Sequence, residues 1–127
     1  MFRAVSCLFA VLVLSLGTVT AAPEAPDPAA DAIFQKLMAA AISSDYDGFM
    51  AECDATMKAA LSKGQLEAVS RQIAPRLKPG YDAEYLGELN QRGFAVHLWR
   101  VRARDGGDDY LATLSIKDGK AGGFYLH

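Results

Sequence analysis

The chain has 127 residues, 13 Lys and Arg against 15 Asp and Glu, a net charge of −2, two Cys and two His. That length fits one small domain, and a charge slightly on the acidic side argues against a general nucleic-acid binder. Two cysteines and two histidines supply neither a disulfide framework nor a zinc set, so no metal or other cofactor is expected.

The chain opens like a secretory precursor. Arg3 precedes an apolar run over residues 4–16, and small residues follow over 17–22. The run is too short for a typical spanning helix, so the segment reads as a signal peptide. Cleavage after Ala21 leaves Val19 and Ala21 at the −3 and −1 positions; the alternative is an uncleaved anchor. The expected division is a signal peptide over 1–21, a disordered linker over 22–30 and one domain over 31–127. The expected destination is the periplasm or the exterior, with no membrane contact after cleavage. Cys7 lies inside the apolar run, so no lipid-bearing cysteine follows the cut. Removing the leader takes the charge to about −3 and leaves Cys53 alone. The hydrophobic core must then hold the domain without an internal disulfide.

Three helices are expected next. Asp27-Pro28 offers an N-cap and a first-turn proline, and Ile33, Phe34, Leu37, Met38 and Ala41 form a stripe ending near Ile42. Ser43-Ser44 interrupts it, and Asp45 caps a second helix. Tyr46, Phe49, Met50, Cys53, Met57, Ala60 and Leu61 keep helical spacing to its end. Ser62 with Gln65 is a capping box for a third helix carrying Leu66, Val69 and Ile73. Pro75 ends or kinks it, and Pro79-Gly80 turns the chain toward a sheet.

Residues 81–126 read as four strands of an antiparallel meander. Tyr81, Ala83, Tyr85, Gly87 and Leu89 alternate with polar residues, as do Tyr110, Ala112, Leu114 and Ile116. Gln91-Arg92-Gly93, Gly106-Gly107 and Asp118-Gly119 are the turns. Read as tight turns, they pair Gly87 with His97, Tyr85 with Trp99, Val101 with Ala112, Ile116 with Ala121 and Ala112 with Tyr125. His97 and Trp99 then point inward. Glu84 faces Arg100, Asp82 faces Arg102 and Asp109 faces Arg104 outside, each pair worth about 0.2–1 kcal/mol. The fold class is therefore α+β: three helices on one face of a four-stranded meander, the other face open.

The segment ISSDYDGFMAECDATMKAALS over 42–62 resembles the helical part of the nuclear-transport-factor-2-like superfamily, also grouped as cystatin-like, and LSIKDGKAGGFYL over 114–126 resembles its final hairpin. The resemblance implies a cone-like sheet wrapped on helices. It covers most of residues 31–126 and is nearest to small secreted bacterial domains without an assigned function. The superfamily holds ketosteroid isomerases, polyketide cyclases and dehydratases beside non-catalytic binding and dimerisation modules. The chain has no room for the usual early strand hairpin between the second and third helices, and no catalytic residue carries over.

Two faces carry candidate sites. Inside, His97 with Tyr85 and Trp99, and Tyr46 near the mouth of the cone, would line a pocket for a small apolar ligand. His97 has two readings: a proton carrier in such a pocket, or a structural histidine bonded to a carbonyl or a tyrosine hydroxyl. Asp45 and Asp47 read as a helix cap and a first-turn acid, Tyr81, Tyr110 and Tyr125 as inward packing, and Cys53 as a small core residue. Outside, Leu86, Leu98, Leu111, Phe124 and Leu126 would form an apolar contact face for a homodimer or another protein. The leading expectation is a secreted or periplasmic non-catalytic domain that binds a small apolar ligand or a protein partner. The alternative is a cone-fold isomerase, cyclase or dehydratase with His97 as acid or base.

Overall fold

The computed structural model describes residues 25–127, a small α+β domain in which four helices precede a four-stranded antiparallel sheet. The expected signal peptide lies outside the described residues, as does the start of the linker. Helix α1 spans Pro28–Ser43, with Pro28 in its first turn and the Asp27 carboxylate accepting from the Ala29 amide. Its stripe of Ile33, Phe34, Leu37, Met38 and Ala41 is buried.

The second expected helix is two. Helix α2 spans Tyr46–Ala51 and α3 spans Ala55–Ala60. Apolar spacing runs unbroken through Cys53, but two backbone bonds of 2.8 Å, from the Asp54 amide to the Ala121 carbonyl and from the Ala121 amide to the Glu52 carbonyl, pull the chain out of the helix. Asp54 then starts a new one by accepting from the Met57 amide at 2.8 Å. Helix α4, Lys63–Leu77, opens on the expected Ser62–Gln65 capping box and continues through Pro75 rather than ending there.

Strands β1 (Tyr81–Gln91), β2 (Phe94–Ala103), β3 (Tyr110–Lys117) and β4 (Lys120–Leu126) pair in sequence order. Tyr85 faces Trp99, Glu84 faces Arg100, Asp82 faces Arg102 and Ile116 faces Ala121, as the turns imply. Other registers differ. Arg92-Gly93 is a two-residue turn with both φ angles positive, 52° and 81°. A bulge at Leu86 then returns the ladder to register, so Gly87 pairs with Leu98 instead of His97, and Leu89 pairs with Val96 and is 47% exposed. The β2–β3 connection is a six-residue loop, 104–109, rather than a Gly-Gly turn. It is pinned to α4 by Arg76, which donates to Asp105 Oδ2 at 2.9 Å and to the Asp108 carbonyl at 2.9 Å. Trp99 consequently faces Ala112 and His97 faces Leu114, a slip of two that keeps both inside. Asp109 meets Arg102 at 3.4 Å, not Arg104.

A second bulge falls at Gly122, between the Ile116–Ala121 and Ser115–Gly123 pairs. A Cβ at Gly122 would stand 2.5 Å from the Phe94 ring and 2.9 Å from the Asp54 carboxylate, so glycine is what the close approach allows. The inserted residue reverses the expected facing of the last strand. Phe124 and Leu126 pack toward the helices, and Tyr125 lies on the other face, 60% exposed.

The core forms between the helices and the inner face of the sheet. Ile33, Phe34, Leu37 and Met38 meet Trp99, Val101, Ala112 and Leu114, and Phe34 stacks on Trp99 with ring centroids 4.1 Å apart and planes 4° from parallel. Among the described residues no helix is long and apolar enough to cross a membrane.

Candidate binding site

His97 sits on the inner face of β2 and is 3% exposed. The Tyr85 hydroxyl and His97 Nδ1 are hydrogen-bonded at 2.8 Å, and the imidazole packs beside Tyr85 and Trp99. Trp99 is 2% exposed, held between Phe34 on one face and the edge of Tyr85. The structure thus gathers three of the expected inner residues, with His97 and Trp99 buried and Tyr85 half-buried. The open spaces described below are not lined by any of them. Tyr46, the fourth, caps the end of α3 by donating to the Leu61 carbonyl at 3.0 Å. Asp45 accepts from the Gly48 amide, as a helix cap does.

Cys53 is 1% exposed and its thiol donates to the Phe49 carbonyl at 3.3 Å. Burial, reinforced by the neighbouring Asp54 charge, pushes the thiol up to about 11, which leaves it a packing residue rather than a nucleophile.

A different cavity, of about 310 Å³, lies where the helices meet the last two strands. Ala41 of α1, Phe49 of α2, Met57 and Leu61 at α3, and Leu66, Val69, Gln72 and Ile73 of α4 form one wall. Tyr110 of β3 and residues 124–126 of β4 form the other. The lining carries no ionised group, and Gln72 and Tyr110 are its inward polar side chains. Tyr110 is fixed from behind by the Arg76 guanidinium, 4.9 Å from its ring centroid. Arg76, with help from the Gly107 amide, also holds the Asp105 carboxyl down at about 2. A cavity of this size is at the lower end of the roughly 300–1,000 Å³ range of small-molecule sites. A larger groove of about 680 Å³ beside Arg71, Pro75 and Lys78 lies open to solvent.

Sequence spacing assigned Phe124 and Leu126 to the outer face, and the bulge at Gly122 moves them into this cavity.

The outer face keeps part of its expected apolar set. Leu86 is 49% and Leu111 38% exposed, with Leu98 half-buried between them in the sheet and Leu89 added beside them. Arg100 with Glu84 and Arg102 with Asp109 are ion pairs on the same face. No protein-family model, curated protein or solved structure matches the chain.

Proposed function

We propose that the chain is an exported, non-catalytic binding domain of the nuclear-transport-factor-2-like kind, and that its site is the cavity between α4 and β3–β4. The observation that carries this reading is the charge-free lining of the 310 Å³ space. Such a site gains affinity by removing apolar surface from water, at about 25 cal/mol per Å², and places a ligand through a few hydroxyl or amide contacts. The order of helices before a sheet packed on one face agrees with the superfamily resemblance, and the Arg3-led apolar segment supports export. The buried, hydrogen-bonded His97 favours the binding reading over acid–base chemistry.

The test is titration with N-phenyl-1-naphthylamine, an uncharged fluorophore. Emission should rise and shift to the blue on binding. Val69→Trp should abolish the change, because Val69 is 41% exposed on the cavity rim and can be enlarged without entering the core. An unchanged titration in Val69→Trp would remove the cavity from the account.

A self-contact through the outer sheet face is the second reading, favoured by exposed Leu86, Leu89 and Leu111 around Leu98. It predicts a dimer mass for the wild type in solution and a monomer mass for Leu98→Asp.

A further inference from the structure

We propose that the ligand of this cavity is an extended apolar peptide, a partner segment that adds to the free edge of β4 and drops one side chain into the cavity; this rests on the binding reading above. The two edges of the sheet are built differently. Edge strand β1 carries Asp82, Glu84 and Glu88 and is distorted by the bulge at Leu86, both of which discourage strand addition. Edge strand β4 has no acidic or basic side chain from residue 121 to 126.

Its hydrogen-bonding groups are also available. Leu111 and His127 exchange both backbone bonds at 3.0 Å. The alternation of an antiparallel ladder therefore makes Thr113–Tyr125 a bonded pair and turns the N–H and C=O of Phe124 and Leu126 away from β3. Among the described residues no bond from another element reaches either backbone. The two sets of groups lie about 7 Å apart along one line, the repeat of an extended chain and of no compact ligand. At Ala121 this same edge already takes extended backbone: Cys53 forms an isolated parallel bridge with it through two bonds of 2.8 Å, from the Asp54 amide and to the Glu52 carbonyl. The pairing stops there, and the cavity beside Phe124 and Leu126 begins. Backbone bonds along the edge with a pocket for an alternate side chain is the arrangement by which sheet edges recognise peptides.

The neutral edge and the uncharged lining select an uncharged segment. A second copy of β4 fits less well: its Phe124 and Leu126 would point into its own core and leave both cavities empty.

The test selects random heptapeptides displayed on phage against the full exported chain, then measures enriched synthetic peptides by fluorescence anisotropy. Leu126→Pro is the diagnostic variant. Proline removes an N–H that faces outward, which an edge strand tolerates, and it retains an apolar ring beside the cavity. Enriched peptides should carry a large apolar residue without neighbouring charge and bind Leu126→Pro and Val69→Trp at least tenfold more weakly. Leu126→Pro should weaken peptide binding by a larger factor than it weakens N-phenyl-1-naphthylamine binding, because only the peptide uses the Leu126 N–H. Fluorophore binding with no peptide enrichment, or peptides indifferent to Leu126→Pro, would overturn the peptide while leaving the cavity reading intact. Loss of both ligands' binding in the wild type overturns both. A wild-type dimer that Leu126→Pro, and not Leu98→Asp, converts to monomer would give the edge to a second copy instead.

Discussion

Gly122→Ala perturbs the bulge that turns Phe124 and Leu126 toward the helices. The new Cβ would lie 2.5 Å from the Phe94 ring and 2.9 Å from Asp54 Oδ2. Phe94 is half-buried with the Lys117 ammonium 5.9 Å from its centroid. Asp54 is engaged as the cap of α3 through the Met57 amide. Crowding of this kind costs about 1–3 kcal/mol. If Asp54 gives way instead, the lost cap costs about 0.5–2 kcal/mol. These are alternative routes of relief, so the expected loss is about 2 kcal/mol, or a fall of roughly 8–16 °C in Tm for a domain of this size. Thermal unfolding followed by circular dichroism measures it. The mechanism also predicts coupling: in an Asp54→Ala or a Phe94→Leu background, Gly122→Ala should cost less by at least ~0.5 kcal/mol. A Tm within 2 °C of wild type by that measure, roughly the error of a ~0.3 kcal/mol effect, would refute the reasoning. So would additivity in both backgrounds.

Other substitutions test other joints. Gly93→Ala places a side chain at φ 81° in open space, so it should cost about 1 kcal/mol from backbone strain alone, seen as a lower urea midpoint. Gly64→Ala, also in open space but inside α4, should stabilise by up to about 1 kcal/mol in the same assay. Because Asp105 titrates below its ordinary value in the folded chain, its contribution is present above about pH 4 and fades as pH falls toward 2. Arg76→Gln should return the Asp105 carboxyl toward its ordinary value in an NMR pH titration and flatten that part of the acid-unfolding curve. Cys53 should resist alkylation in the folded protein and react fully in urea, read by mass spectrometry of its peptide.

Much of the sheet is legible in the residues. Period-two alternation and three turn signals yield the strand order, the facing of Trp99 and His97, and the Glu84–Arg100 partnership. The inner facing survives the error at residues 104–109 because a six-residue loop shifts the ladder by two, an even number. The bulge at Gly122 shifts it by one, and every later side chain changes face; that is why Phe124, Tyr125 and Leu126 point opposite to what period-two spacing predicts. Its local mark is Gly122-Gly123 inside the strand, a common sign of a bulge, whereas the groups crowding Gly122, Phe94 and Asp54, are distant in the chain. The break in the second helix has the same character: apolar spacing continues through Cys53, and the pairing partner is Ala121. The local sign is Asp54 ahead of a short helical run, an N-cap at odds with the continuous apolar spacing. The cavity was least legible, because it is a gap left where α4 and β4 do not meet, and gaps have no residues of their own.

Amide chemical shifts during titration with N-phenyl-1-naphthylamine test the central claim most directly. The perturbed amides should cluster at Leu66, Ile73, Tyr110, Phe124 and Leu126, with those of Tyr85, His97 and Leu98 unmoved. Perturbations centred on His97 and Tyr85, or on Leu98 and Leu111 of the outer face, would contradict it.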